Sequence, residues 1–281
     1  MTKPLREESS AVQLRWSGRT DRGRVRQNNE DAFLGLRFDA SEVHHLGAIG
    51  EATTGHFDFA FAVSDGMGGA NAGEHASAIA VQKLMTLLPK SYHQAAMGLE
   101  SGFSDVLEEL FERIHRALVF LGQSYEECHG METTLSLCWF TPGWMYFAHV
   151  GDSRIYYLPA GTTGIRQLSH DDTHVGWLLR NGKITERAAR SHPRRKVLQK
   201  ALGGGNQFVT PQVGAVGYEK GDRFFLCTDG VVEGLYDHQL DDLIRGTAFS
   251  GPGDGPADRV IQESLSRDGK DNLTAMVVAV D

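Results

Sequence analysis

Cysteine is scarce in this chain of 281 residues. The three cysteines, Cys128, Cys138 and Cys227, lie far apart and form no Cys-x-x-Cys pair. The sequence therefore predicts neither a disulfide framework nor a zinc site built on thiolates. This use of cysteine favours a reducing compartment.

Long apolar runs are also missing. No stretch approaches the ~18 consecutive apolar residues that a membrane-spanning helix needs. The first ten residues, MTKPLREESS, are polar and lack the apolar core of a signal peptide. We therefore expect a soluble cytoplasmic protein that does not associate with a membrane, with residues 1–10 forming an N-terminal tail.

Positive charge is in deficit. The 28 lysine and arginine residues face 36 aspartate and glutamate residues, and the net charge of −8 argues against a nucleic-acid-binding protein. Hydrophobic residues make up 41% and charged residues 23%, values that exclude global disorder. Glycine is abundant, because 33 of the 281 residues is a larger share than the ~7% found in average proteins.

Apolar periodicity predicts many strands and two long helices. The first helix, with Asn71 and Glu74 at capping-box spacing, is expected to end at Pro89, and the second carries an apolar stripe over 103–121. Residues 39–56 lack sustained periodicity and are interpreted as a loop or hairpin excursion. Strands are expected at 12–16, 32–36, 57–64, 133–140, 144–150, 154–158, 165–168, 222–228 and 273–280. This grouping favours an α+β sandwich with largely antiparallel sheets.

Acidic residues recur at the ends of the predicted strands. A single Asp-Gly pair most often makes a structural turn, but several on strands of one core raise the odds that their carboxylates converge. The strand at 57–64 is expected to stop at Asp65-Gly66. The acidic residues in question are Glu30, Asp31, Asp65, Asp152, Asp229 and Asp271.

Converging carboxylates repel one another unless cations neutralise them. Oxygen ligands without a Cys or His cluster suit Mg²⁺ or Mn²⁺, and two such ions ~3.5–4 Å apart can activate a hydroxide for attack on phosphorus. Gly66 would let the backbone turn sharply and offer its carbonyl as a further ligand. Arg26 could supply a bidentate fork for phosphate oxygens, although alone it reads as one member of a solvated basic segment.

Eight motifs, in a fixed order, resemble those of the metal-dependent protein Ser/Thr phosphatases of type 2C. The bacterial-type branch is the most similar, with Met67 in SDGMGG, and the resemblance covers residues 12–280. The motifs are GRVRQNNEDAF (23–33), AVSDGMGGANAGE (62–74), METTLSL (131–137), AHVGDSRIYYL (148–158), LSHDDTHV (168–175), HPRRKVLQKALGG (192–204), LCTDGVVEGL (226–235) and DNLTAMVV (271–278).

The resemblance implies a four-layer αββα sandwich, in which helix pairs flank two mainly antiparallel β-sheets and a binuclear metal centre lies at one edge. It implies a single phosphatase domain over residues 11–281, with a flap subdomain at about 169–203. The implied activity is hydrolysis of phosphoserine and phosphothreonine in proteins by a metal-activated water, with two Mn²⁺ or Mg²⁺ ions. The implied partners are phosphoprotein substrates of Ser/Thr kinases, and we expect a monomer.

The resemblance also implies a role for each acidic residue. Asp65 would bridge the two ions and Gly66 would add its carbonyl, while Asp229 and Asp271 would complete the ligands of one ion. Glu30 and Asp31 would hold metal-bound waters.

Three further positions complete the implied site. Arg26 would bind the substrate phosphate. Asp152, together with Asp229, matches a weaker third metal site. Glu233 stands where an aspartate often assists that third ion, so its longer side chain leaves the third site open.

Two alternatives remain open at this stage. A pseudophosphatase, which binds phosphoproteins without hydrolysing them, would be expected to lack one of Asp65, Asp229 or Asp271, and all three are present. A hydrolase of small phosphate esters on the same scaffold is compatible with the same residues. The basic stretch RAARSHPRRK (187–196) reads either as a solvated loop or as a cationic flap beside the site.

Overall fold

A computed structural model describes residues 11–39, 41–68, 72–96, 102–205, 208–251 and 253–281. One antiparallel sheet has six strands, in the order β10-β9-β13-β14-β1-β4. Its strands are β1 (Gln13–Asp21), β4 (Ile49–Thr53), β9 (Arg154–Leu158), β10 (Arg166–Gln167), β13 (Arg223–Cys227) and β14 (Leu273–Val280).

The second sheet has eight strands and is also antiparallel. The order β11-β6-β5-β7-β8-β12 is extended by β2, which pairs with β5, and by β3, which pairs with β2. Its strands are β2 (Asp31–Phe38), β3 (Val43–His45), β5 (Asp58–Met67), β6 (Glu132–Thr133), β7 (Leu135–Thr141), β8 (Trp144–Val150), β11 (Leu202–Gly203) and β12 (Gln212–Gly217).

Helices cover the outer faces of both sheets. The eight-stranded sheet carries α1 (Ala72–Ala96) and α2 (Phe103–Ser124). The six-stranded sheet carries α5 (Asp229–Gly234), α6 (Asp237–Gly246) and α7 (Pro256–Arg267). Two short helices, α3 (His174–Arg180) and α4 (Glu186–Arg190), lie in the segment between β10 and β11.

Strand β5 shows how the sequence builds these layers. Its side chains alternate, so Phe59, Phe61 and Val63 pack between the two sheets, while the small Ala60 and Ala62 face the cluster under α1 and α2. The apolar interior between the sheets and the two apolar layers beneath the helices confirm the four-layer sandwich.

The predicted end of the first helix is wrong. Helix α1 continues through Pro89 to Ala96. A proline inside a helix removes one backbone hydrogen bond, at a cost of ~3 kcal/mol. Burial of Leu84 and Leu88 on the same helix offsets this cost. The predicted capping residue Asn71 lies outside the described residues.

The interpretation of residues 39–56 as a loop is also wrong in part, because the segment contributes a strand to each sheet. Strand β3 pairs with β2, and β4 forms an edge beside β1. The pairing brings Gly50 against Trp16, where a Cβ would lie 2.3 Å from the indole ring. These short strands have little apolar alternation of their own, and they form because β2 and β1 offer edges with which they can pair.

Candidate metal centre

The acidic residues singled out in the sequence converge where the two sheets meet. Asp31 and Asp65 are opposite each other on β2 and β5 of one sheet. Asp229 begins α5 directly after β13, and Asp271 precedes β14, the neighbour of β13 in the other sheet. The Thr228 hydroxyl donates to Asp31 Oδ2 at 2.7 Å and thereby joins the two sheets at this edge.

Asp65 lies inside β5, so the prediction that this strand stops at Asp65-Gly66 is wrong. Thr134 explains the difference, because its N–H donates to the Asp65 carbonyl and its hydroxyl accepts from the Asp65 N–H, each at 2.9 Å. Gly66 then pairs with Thr133 of β6. The strand therefore holds the Asp65 backbone rigidly on both sides.

Gly66 allows α1 to approach the site closely. A Cβ at Gly66 would lie 1.9 Å from the carbonyl oxygen of Gly73, in the first turn of α1, and one at Gly73 would lie 2.6 Å from Glu30 Oε1. The Gly66 N–H also donates to the Glu30 carbonyl at 3.1 Å. These contacts place Glu30 beside Asp65. No residue larger than glycine fits at position 66 or 73 without a shift of its neighbours.

Asn272 fixes the loop that carries Arg26 and Glu30. Its side-chain oxygen accepts from the Glu30 N–H at 2.8 Å, and its amide donates to the carbonyls of Arg22 and Asn28, each at 2.9 Å. The contact between Asn272 and this loop joins residues 250 apart in the chain, so local sequence carries no sign of it.

Asp152 lies at the turn after β8. Gly151 before it has φ of +112°, a conformation that favours glycine, and its N–H donates to Asp172 Oδ2 at 3.1 Å. Asp152 and Asp229 line the same cavity, and burial together with the charge of Asp229 raises the pKa of Asp152.

Two basic side chains enter the cluster. Arg26 forms a two-pronged pair with Asp271, with Nε 2.7 Å from Oδ1 and Nη2 3.0 Å from Oδ2. Lys196 Nζ lies 2.6 Å from Asp271 Oδ2, 3.0 Å from Glu233 Oε1 and 3.2 Å from Asp229 Oδ2. The sequence shows Lys196 only as one member of a basic stretch, which does not predict its place beside these carboxylates.

Comparisons with known proteins identify the family of this chain. A model of the family described as "Protein phosphatase 2C" matches residues 48–267, well over half of the chain. The chain belongs to the protein phosphatase 2C family.

Individual members of the family are similar over nearly the whole chain. The serine/threonine phosphatase stp of Listeria welshimeri is 30% identical over 260 residues, covering 92% of this chain and 93% of that protein. The structure of the S. agalactiae serine/threonine phosphatase superposes with a TM-score of 0.77 at 28% identity, covering 95% of this chain and all of that one. The catalytic domain of the phosphatase PstP, in complex with two manganese ions, gives 0.73 at 28% identity, covering 96% and 99%.

In this protein phosphatase 2C member, burial and mutual repulsion shift the pKa values of the acidic residues. Burial, together with the charges of Asp229 and Asp271, raises the pKa of Asp31 to about 7. Burial and neighbouring carboxylates raise the pKa of Asp65, Asp152 and Asp229 as well. Burial alone would raise the pKa of Asp271 too, but hydrogen bonds from Lys196 and Arg26 hold it below its usual value.

The donor set fits hard divalent cations. Among the buried polar atoms of the described residues, Asp31 Oδ1 and Asp229 Oδ1 have no hydrogen-bond partner. The converging side chains offer carboxylate oxygens, the ligands that Mn²⁺ and Mg²⁺ prefer. In the described part of the chain, no three His, Cys, Asp or Glu side chains form a ready cage for one ion. Water would therefore supply much of the coordination, as is usual for Mg²⁺.

The raised pKa values predict how the metal-free protein responds to pH. An aspartate whose pKa is raised on folding binds more protons in the folded than in the unfolded state, so stability falls as pH rises between the two pKa values. For Asp31 this window runs from 3.8 to about 7. We expect the Tm of the metal-free protein to fall between pH 5 and pH 8 by at least about 3 °C, the shift that ~1 kcal/mol produces.

Thermal unfolding in chelator across this pH range tests the expectation. Asp31→Asn should flatten the dependence, because asparagine can still accept from Thr228 without titrating. A metal-free Tm that rises over the same interval would contradict the assignment.

Proposed function

We propose that this chain hydrolyses phosphoserine and phosphothreonine in proteins, using two Mn²⁺ or Mg²⁺ ions. The observation that carries the proposal is the convergence of Asp31, Asp65, Asp229 and Asp271 from both sheets, with Arg26 at the mouth of the cluster. The names of the relatives, serine/threonine phosphatases, support the substrate class, and the manganese complex of PstP supports the cofactor.

The residues that would hold the ions are Asp65, the Gly66 carbonyl, Asp229 and Asp271. Two bound divalent ions supply a hydroxide at neutral pH and neutralise charge on the phosphate. Glu30 and Asp31 would hold and orient water, because Glu30 contacts Gly66 and Asp31 lies opposite Asp65. Thr228 fixes Asp31 by donating to one oxygen, which leaves Asp31 Oδ1 to accept from water.

Arg26 would bind the phosphate group of the substrate. Its side chain is 48% exposed, and Asn272 holds the loop that carries it. A planar guanidinium matches two phosphate oxygens as well as it matches the two oxygens of Asp271. Arg26 would therefore exchange Asp271 for the phosphate when the ions bind Asp271.

The remaining parts of the proposal concern organisation. We propose one phosphatase domain over residues 11–281, with residues 169–203 acting as a flap, in a monomeric cytoplasmic protein. The buried free thiols of Cys128, Cys138 and Cys227 support a reducing compartment. Among the helices of the described residues, none is long and apolar enough to cross a membrane.

We also propose a third metal ion between Asp152 and Asp229. The contacts of Glu233 give no support to a role as a ligand of that ion. Glu233 Oε1 lies 3.0 Å from Lys196 Nζ and 3.3 Å from Arg195 Nη2. Its oxygen is therefore already paired with two cations, and a third ion would have to displace them.

The decisive test is hydrolysis of phosphoserine and phosphothreonine peptides with and without Mn²⁺, compared with a small aryl phosphate. We expect Mn²⁺-dependent release of phosphate from the peptides at higher kcat/KM than from the aryl ester. Binding of the peptides without turnover in Mn²⁺ would indicate a pseudophosphatase. Turnover confined to the small ester would replace the protein substrate with a small molecule.

Arg26→Ala is expected to lower kcat/KM on phosphopeptides by about 10- to 100-fold, the loss of a charge-assisted hydrogen-bond pair. Mn²⁺ affinity should not weaken, because guanidinium is no metal ligand. Peptide kinetics beside calorimetric Mn²⁺ titration measures both quantities. Arg24→Ala, an exposed arginine of the same loop, is the matched control. Weaker Mn²⁺ binding with unchanged kinetics would contradict the role of Arg26.

A further inference from the structure

Lys196 contacts the acidic cluster directly. Its ammonium lies within 3.2 Å of three carboxylates, those of Asp229, Glu233 and Asp271. Its side chain is 38% exposed, whereas the side chains of Asp229 and Asp271 are each 14% exposed. A partly exposed cation therefore reaches from the surface into a largely buried group of anions.

The segments on both sides of Lys196 are attached to the rest of the domain. Before it, the Arg190 guanidinium donates to the carbonyls of Val232 and Leu235, at 2.8 and 3.0 Å. After it, Leu198 forms a bridge with Thr173, and the Gln199 N–H donates to the Asp172 carbonyl at 2.7 Å. Most of 187–196 is exposed, but the attachments of Arg190, Leu198 and Gln199 place Lys196 beside the cluster.

We propose that Lys196 is a tethered cation that fills the acidic centre when divalent metal is absent and competes with metal for Asp229, Glu233 and Asp271. The inference rests on the proposed function, because it concerns the ions that the same carboxylates would hold. It assigns to the segment between β10 and β11 a direct influence on metal affinity.

Occupancy of the oxygens explains the competition. Both oxygens of Asp271 accept from basic side chains, Oδ1 from Arg26 at 2.7 Å and Oδ2 from Lys196 at 2.6 Å. A metal ion that takes Asp271 as a ligand must therefore displace a basic side chain from one of its oxygens. Asp229 Oδ1 has no hydrogen-bond partner among the described residues, but Lys196 lies 3.2 Å from the other oxygen of that carboxylate, so the ammonium repels an ion bound there. The flexible four-carbon stem of lysine allows the ammonium to withdraw into solvent, where it is strongly hydrated.

Replacement of the Lys196 ammonium by a metal ion affects both the stability of the fold and the affinity for the ion. Without metal, Lys196 offsets repulsion among buried carboxylates and stabilises the fold. With metal, the displaced ammonium no longer has this role, and its loss reduces the net gain from binding the ion. Lys196 therefore weakens metal binding and stabilises the metal-free protein.

Lys196→Gln tests both consequences, because glutamine is a flexible polar side chain without the charge. Lys200→Gln is the matched control, since Lys200 belongs to the same segment, is 44% exposed and pairs with Asp172 at 3.8 Å, outside the cluster. Mn²⁺ is titrated into each metal-free full-length protein by calorimetry and by the electron paramagnetic resonance of free Mn²⁺. We expect at least about 10-fold tighter Mn²⁺ binding in Lys196→Gln and wild-type affinity in Lys200→Gln.

Thermal unfolding supplies the second readout. In chelator, Lys196→Gln should melt below the wild type, and in saturating Mn²⁺ the difference should vanish or reverse. Should Lys196→Gln fail to fold without metal, Lys196→Arg, which keeps the charge, should bind Mn²⁺ no more tightly than the wild type. Tighter binding in Lys196→Arg would overturn the inference.

Equal or weaker Mn²⁺ binding in Lys196→Gln would also overturn the inference and would leave the proposed function untouched, provided that the wild type binds Mn²⁺ and hydrolyses phosphopeptides. A wild-type protein that binds no Mn²⁺ and releases no phosphate would overturn both.

Discussion

Asp229→Asn is expected to lower kcat on phosphopeptides by about 100- to 1000-fold, the loss typical of removing one electrostatic contributor to a reaction. Asp229 Oδ1 has no hydrogen-bond partner among the described residues, and Oδ2 contacts Lys196 at 3.2 Å. The side chain is therefore placed to bind a cation. Asparagine preserves its shape and removes its charge, so the metal site should lose affinity.

The folded state of this variant should survive. Burial raises the pKa of Asp229, which means that its anionic form is unfavourable in the metal-free protein. We expect Asp229→Asn to melt at or above the wild-type temperature in chelator. Steady-state kinetics across a Mn²⁺ titration and thermal unfolding separate the two effects.

Asp242→Asn is the matched control, because Asp242 is exposed on α6 outside the cluster. It should leave turnover and Mn²⁺ dependence unchanged. Wild-type turnover by Asp229→Asn in saturating Mn²⁺ would contradict a metal-binding role for this residue.

Removal of divalent metal is expected to reduce phosphopeptide hydrolysis to below about 1% of its starting rate, since the chemistry needs a metal-activated water. In the described part of the chain, the charged groups that act most strongly on Asp65 are the carboxylates of Asp31, Asp152, Asp229 and Asp271. Oxygen ligands favour Mn²⁺ and Mg²⁺ over zinc. Mn²⁺ should restore the rate at least as well as Mg²⁺. The measurement is phosphate release after exhaustive chelation and after each ion is added back.

The chelated protein must be shown to be folded for this result to count. Circular dichroism before and after chelation provides that control. We expect the spectrum to be unchanged, because Lys196 and Arg26 keep the carboxylates partly neutralised. Full activity after exhaustive chelation would exclude a metal-dependent reaction.

The sequence by itself determined the layers and most of the elements. Strand β5 illustrates the reason, because alternating large and small apolar residues specify two buried faces whatever the partners are. The same local logic predicts the strands that pair as β7 and β8 and the closing strand β14. Acidic residues beside such strands indicated which side chains converge, and the structure brings them together at one edge.

Other features were decided by contacts between distant parts of the chain. Strands β3 and β4 exist because β2 and β1 offer free edges to segments with weak patterns of their own. Asp65 lies within a strand rather than at its end because Thr133 and Thr134, almost 70 residues away, continue the pairing. Local propensity carries no information about such partners.

The cations in the acidic cluster show the same limit most clearly. Arg26 and Asp271 are 245 residues apart, and Lys196 and Asp271 are 75 apart. The sequence identifies these residues as charged, which is a property of each residue alone. Whether a charge faces water or a buried carboxylate depends on the distances between folded elements, and only the tertiary structure sets those distances.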